Sequence, residues 1–173
     1  MKIALVSPYD WNATGGVNNH ISHLAEQFIE RGHSVHIVAA GSKQPKPGIC
    51  PITLIGRPIG LRVSGSVARI TLSLRTAGKI RKLLEEEDFD IVHVHEPFMP
   101  QLPIVFLRYS TAINIGTWHA ARESNWAYVY GRRLIKRWVT KLDGKIAVSP
   151  AAVKHVEKYF PGYYNIIPNG VDV

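Results

Sequence analysis

Along the whole chain, short apolar runs rich in β-branched residues alternate with segments whose apolar residues recur at helical spacing. That alternation is satisfied by a parallel sheet covered by helices on both faces. The first unit sets the pattern. Lys2 to Val6 is a strand-like run that stops at Ser7, Pro8 and Tyr9, and Tyr9 to Gly16 reads as a loop ending in Gly15-Gly16. Val17, Ile21, Leu24, Ala25 and Phe28 then follow at helical spacing until Gly32, and Ser34 to Ala39 is a second strand. The opening is therefore a βαβ unit, whose parallel pairing needs a right-handed crossover. Residues 41 to 65 read as loops around a short strand, Ile52 to Ile55. Further strands are predicted at Asp90 to His95, Ala112 to Thr117, Lys145 to Ser149 and Tyr164 to Ile167. Helices are predicted at Ser66 to Leu84, Gln101 to Tyr109, Trp126 to Lys141 and Ala151 to Tyr159. The predicted fold class is α/β, a doubly wound, Rossmann-like parallel sheet.

With 173 residues, 46% apolar and 20% charged, the chain has core for one domain and too little for two. Cys50 is the only cysteine, which excludes an internal disulfide framework and favours a reducing compartment. No apolar run approaches the ~20 residues that span a bilayer, and Ile3 to Val6 is too short for a secretory core. The expectation is a protein that is soluble or attached only to a membrane surface. The net charge of +8 is segregated: residues 57 to 82 hold seven Lys and Arg and no acid, 83 to 121 sum to −5, and 122 to 145 to +5. Such blocks read either as a face for an anionic partner, membrane or nucleic acid, or as solvated helix surfaces.

In an open α/β sheet the ligand crevice lies beyond the carboxyl ends of the strands. The residues there are Tyr9 and Gly15-Gly16, then His95, Glu96 and Pro97, then Trp118 and His119, then Ser149, and finally Pro168-Asn169-Gly170-Val171-Asp172. Gly15-Gly16 opens a helix, so its backbone N–H groups can receive a phosphate; the alternative is a tight turn that lets helix and strand pack closely. The G-x-G-x-x-G spacing and a Walker lysine are both missing, which disfavours the usual dinucleotide and ATP sites. His93 and His95 share one side of a strand with Glu96 following, and His20 and His23 are at i and i+3. Each set invites a metal reading, but neither shows a local third ligand, so packing and hydrogen bonding are preferred and no metal is assigned. His119, at a strand end, can assist proton transfer or hold a substrate hydroxyl, or be a loop histidine without a role.

Ser-Pro-Tyr, Gly15-Gly16-Val17-Asn18-Asn19-His20, Leu24-Ala25, Arg31-Gly32-His33-Ser34-Val35 and Asp88-Phe89-Asp90-Ile91-Val92-His93-Val94-His95-Glu96-Pro97 occur in an order that resembles the amino-terminal half of retaining glycosyltransferases of the GT-B fold. These are the glycosyltransferase family 4, or group 1, proteins. Gly65-Ser66-Val67-Ala68-Arg69-Ile70, the basic segment Lys79 to Leu84, Gly116-Thr117-Trp118-His119, Lys145-Ile146-Ala147-Val148-Ser149 and Ile167-Pro168-Asn169-Gly170-Val171-Asp172 extend the likeness over nearly the whole chain. Within the family they resemble most the bacterial phosphatidylinositol mannosyltransferases.

The resemblance implies transfer of a sugar from a nucleotide diphosphate donor to a hydroxyl with retention, without a cofactor or bound metal. It implies that Gly15 and Gly16 meet the donor diphosphate, that His119 lies at the reacting centre, and that Tyr9 and Asn18 line the acceptor pocket. The family has a longer amide at the Asn18 position and a small-residue, Ser/Thr-rich stretch ending in lysine after His119. Here Ala120-Ala121-Arg122-Glu123-Ser124 replaces that stretch, with Arg122 as the substitute charge for the acceptor. Residues 1–168 are expected to form the acceptor-binding domain, and 169–173 the start of a linker to a carboxy-terminal donor-binding domain. The half alone is expected to be inactive. Arg69, Arg75, Lys79, Arg81 and Lys82 are the expected membrane-association residues, on a helix at the cytoplasmic face of an anionic membrane that presents the lipid acceptor. A soluble acceptor, a sugar phosphate or organic acid, is the alternative. Nucleic acid is set aside as a partner, because no helix-turn-helix, zinc-finger, RNA-recognition or KH pattern is present.

Overall fold

The structure, a computed structural model, describes residues 1–41, 43, 48–63, 66–71, 76–99, 101–119 and 136–170, with the backbone alone at 61–63 and 66–71. Its strands are β1 (Lys2–Asp10), β2 (Ser34–Ala40), β3 (Ile52–Leu54), β4 (Pro58–Val63), β5 (Ser66–Thr71), β6 (Ile91–His95), β7 (Ile113–Trp118), β8 (Gly144–Ala147) and β9 (Asn165–Ile166). The helices are α1 (Gly16–Glu30), α2 (Thr76–Glu87), α3 (Leu102–Tyr109) and α4 (Pro150–Glu157), and residues 136–139 form a further helical turn. Seven strands make one sheet in the order β3-β2-β1-β6-β7-β8-β9. Every pairing in it is parallel. The predicted doubly wound, Rossmann-like sheet is thus the observed one. Its strand order reverses between β1 and β6, and that switch point is where a crevice opens.

Two-residue periodicity divides the core. Ile3 and Leu5 of β1 and Val35 and Ile37 of β2 pack with Ile21 and Ala25 of α1 on one face. Ala4, Val6, Val38, Val92 and Val94 pack on the other with Ile80 of α2, Phe106 of α3 and Val156 of α4. Alternation along β6 therefore sends His93 and His95 to the face where Ile91 packs beneath α1.

Residues 57–87 differ from expectation. No helix runs from Ser66; β4 and β5 form an antiparallel hairpin outside the main sheet, with Val63 opposite Ser66 and Pro58 opposite Thr71. Val67, Ile70 and Leu74 fit a helical period, but β-branched residues at 63, 67, 70 and 71 favour strands. Helix α2 is described from Thr76 to Glu87.

The expected basic helix is consequently divided. Arg69 lies on β5, and Arg75 lies outside the described residues. Lys79, Arg81 and Lys82 lie on α2 with three glutamates behind them; Arg81 Nε is 3.4 Å from Glu85 and Lys82 Nζ 3.5 Å from Glu86, both i,i+4 pairs. The second block, 122–145, lies mostly outside the described residues. Strand β1 also runs to Asp10, with a register irregularity between Ser7 and Asp10, so Tyr9 is on an irregular strand end rather than in a loop.

Candidate active site

Three strand ends and one helix start define the crevice. The loop from Asp10 to Gly15 is tied down by Asn18, whose Nδ2 donates to the Asp10 carbonyl at 2.9 Å and the Ala13 carbonyl at 3.2 Å. Its Oδ1 accepts from Ser7 Oγ at 2.7 Å. Asn18 is only 7% exposed, and both its donors are engaged within the chain. It anchors the loop that carries the glycines, beside the half-buried Tyr9, whose backbone N–H reaches Ser7 Oγ at 3.2 Å.

The surroundings of the glycine pair bear on one of the two readings left open by the sequence, the tight turn for close packing. Gly15, the N-cap of α1, has φ −176° and ψ 145°, extended backbone that any residue adopts. A Cβ added to either glycine meets nothing within 4 Å, so neither is needed for close helix–strand packing. Among the described residues the first turn of α1 has no side-chain cap and no acidic residue, which leaves the positive end of its dipole unopposed at the crevice. Gly116 is the contrast: its Cβ would stand 2.7 Å from Pro97 Cγ and 3.1 Å from Leu142 Cδ1, so β7 and the Glu96-Pro97 turn meet only because residue 116 lacks a side chain.

At that turn Glu96 adopts φ +48°, a left-handed conformation costing about 1–3 kcal/mol for a residue that is not glycine. Its backbone N–H donates to the Thr117 carbonyl at 2.8 Å, and its buried Oε1 accepts from the His119 backbone N–H at 2.9 Å. Glu96 thus bridges the ends of β6 and β7 and fixes the start of the loop at His119.

The imidazoles form a stack. His93 Nε2 lies 2.7 Å from Thr117 Oγ1, and its ring stacks on His95 with centroids 4.5 Å apart. His95 stacks on His119 at 5.2 Å, with His95 Nδ1 2.9 Å from His119 Nε2. His20 of α1 meets both edge-on, at 5.6 Å from His95 and 5.1 Å from His119. One ring nitrogen each from His20, His95 and His119 lies within 4.8 Å of the others. His95 is fully buried, and its Nε2 has no partner among the described residues, a cost of about 1–3 kcal/mol.

Burial, reinforced by the neighbouring rings, lowers all four pKa values from the ordinary 6.5: His93 to about 3, His119 to about 4, His95 well below 6.5, and His20 in the same direction. At neutral pH the rings are uncharged. They can exchange hydrogen bonds with hydroxyls but offer no positive charge to a phosphate, which leaves that task to the α1 N-terminus.

Tyr9, Gly15, Gly16, Asn18 and His119 therefore gather around one crevice, while Arg122 lies outside the described residues. Neither metal set proposed by sequence spacing is the one that assembles: His93 turns to Thr117, and His23 is exposed on α1. His95 and Glu96 are read from the sequence as strand-end residues and His20 only within a metal set; the crossing of three elements that unites them with His119 has no trace in linear spacing.

A protein-family model described as Glycosyltransferase Family 4 matches residues 14–173. The chain belongs to glycosyltransferase family 4. It is 33% identical over 177 residues to a phosphatidyl-myo-inositol mannosyltransferase of Propionibacterium freudenreichii, covering 99% of this chain and 46% of that protein. It is 31% identical over 175 residues to the protein of the same name in Mycolicibacterium smegmatis, covering 100% and 45%. The chain spans about half the length of the curated relatives it matches. Among solved structures it superposes on sucrose-phosphate synthase of Thermosynechococcus elongatus with TM-score 0.69, 16% identity, and coverage of 99% of this chain and 48% of that one. Acinetobacter baumannii MurG follows at TM-score 0.62 and 13% identity, with coverage of 99% and 46%. These likenesses show the fold, the Rossmann-like half of a GT-B glycosyltransferase.

Proposed function

We propose that this family 4 chain is the acceptor-binding half of a retaining glycosyltransferase that moves a sugar, mannose from GDP-mannose, to phosphatidylinositol at a membrane surface. The observation that carries the reading is the open start of α1: two glycines that packing among the described residues does not require, on a first turn with no side-chain cap among them, at the sheet's switch point. The diphosphate of the donor lies against Gly15 and Gly16, where an added side chain would occupy the approach. The bond from the sugar's anomeric carbon to the diphosphate oxygen breaks, the acceptor hydroxyl oxygen bonds to that carbon on the same face, and the hydroxyl's proton passes to the departing diphosphate oxygen. His119, uncharged, holds a hydroxyl of the sugar or acceptor, oriented by His95 and by the Glu96 carboxylate on its backbone. Tyr9 and Arg122 contribute to the acceptor pocket, and Asn18 shapes it by holding the loop. The reading needs no cofactor or metal, and a carboxy-terminal donor domain supplies the remaining nucleotide contacts.

The names of the relatives support the lipid acceptor and the mannosyl donor. No helix among the described residues is long and apolar enough to cross a membrane, which accords with peripheral attachment. The i,i+4 pairing of Arg81 and Lys82 with glutamates favours the second reading, a soluble anionic acceptor, because it offsets the charge that would hold α2 to lipid. Incorporation of labelled mannose from GDP-mannose into phosphatidylinositol by the complete enzyme, and none by the 173-residue chain, is the expected result. His119→Ala in that enzyme should lower kcat by about 10²-fold or more. Transfer only to water-soluble acceptors would support the second reading, and unchanged kcat in His119→Ala would remove His119 from the site.

A further inference from the structure

Three of the eight histidines converge from separate elements: His20 from α1, His95 from the last position of β6, and His119 from the residue after β7. One ring nitrogen of each lies within 4.8 Å of the other two, and the His95–His119 pair is only 2.9 Å apart. Two facing imidazole nitrogens at that separation share a single proton, and a cation can take the proton's place when both lone pairs turn toward it. Nitrogens bound at about 2.1 Å stand about 3.0 Å apart at right angles on an ion and about 3.4 Å apart in a tetrahedron. The pair therefore starts near a chelating distance, and rotation of the half-exposed His20 side chain brings in the third donor.

His95 is completely buried, and stacking on His93 and His119 holds its ring in place with Nδ1 toward His119.

We propose that His20, His95 and His119 form a binding site for a late divalent transition-metal ion, of the Zn2+, Co2+ or Ni2+ class, with a coordination position open to the crevice. Three imidazoles select such ions over Mg2+ and Ca2+, which prefer oxygen. The ion occupies the crevice in place of a substrate hydroxyl and takes a nitrogen of His119, so it inhibits transfer rather than assisting it. Inhibition rests on the proposed function, whereas binding of the ion does not.

The test uses the 173-residue chain without a histidine tag. Calorimetric titration with Zn2+, visible absorption of the Co2+ form, and thermal melting with and without Zn2+ should show one ion per chain, intense low-symmetry Co2+ bands, and a Zn2+-dependent rise in Tm that Mg2+ does not produce. His20→Ala and His119→Ala should each weaken Zn2+ by more than about tenfold, while His23→Ala and His33→Ala leave it unchanged. Melting of the metal-free variants checks their folding. If either variant does not fold, imidazole 15N shifts of the wild-type chain on adding Zn2+ decide the matter, with movement expected at His20, His95 and His119. No saturable binding, binding lost in His23→Ala but retained in His20→Ala and His119→Ala, or 15N shifts confined to other histidines would overturn the site. Saturable binding without inhibition of the complete enzyme would leave the site standing and overturn the place of His119 in transfer.

Discussion

Two glycines with opposite surroundings separate folding from function at the scale of single residues. Gly116 is a folding residue, because a Cβ there enters the space of Pro97 and Leu142. Gly116→Ala should destabilise the chain by about 1–3 kcal/mol, the usual cost of overpacking, read as a lower denaturation midpoint. An unchanged midpoint would show that the Glu96-Pro97 turn yields easily. Gly116 is a strand glycine in the sequence, and its closeness to Pro97 could not be read there, since 19 positions separate two residues that only the β6–β7 pairing brings together. Glu96 is the same case: its Glu-Pro was visible, but its positive φ and its hold on the His119 backbone depend on that pairing.

Elements with one consistent period were legible, and elements with two were not. Helix α1 was read correctly because Val17, Ile21, Leu24, Ala25 and Phe28 fit only one period, and the strands of the parallel sheet because both their faces are buried. The 58–71 hairpin was missed because its β-branched residues also fall at helical spacing, and the basic stretch of α2 was read without the three glutamates that follow it. Those glutamates carry a prediction about surface attachment. Replacing Glu85 and Glu86 by Gln should increase binding to vesicles of anionic lipid, and replacing Lys79, Arg81 and Lys82 by Gln should reduce it, both effects shrinking at high salt. Co-sedimentation that is indifferent to both sets would exclude α2 as the attachment surface.

For the molecule as a whole, the crevice is built at a cost to stability. Burial, reinforced by the neighbouring imidazoles, holds His93 and His119 neutral in the fold, with pKa values near 3 and 4 against an ordinary 6.5. Between the folded and unfolded values the unfolded chain binds more protons, so this contribution is complete above pH 6.5 and is lost as pH falls. Each histidine loses about 1.4 kcal/mol per pH unit until its folded value is reached. The denaturation midpoint should therefore drop between pH 6.5 and 4; a midpoint constant over that interval would mean that the rings are not buried as described. The doubly wound parallel sheet and the family were recoverable from the sequence, whereas the strand order and the convergence of His20, His95 and His119 required the crossing of elements in space.

The central claim is that Gly16 is glycine for a ligand and not for the fold. In the complete enzyme, Gly16→Ala should leave Tm unchanged or slightly raised, since alanine suits a helix better than glycine by about 0.5–1 kcal/mol. The same variant should lose at least about tenfold in kcat/KM for the nucleotide-sugar donor. A stable variant with full kcat/KM would contradict the claim.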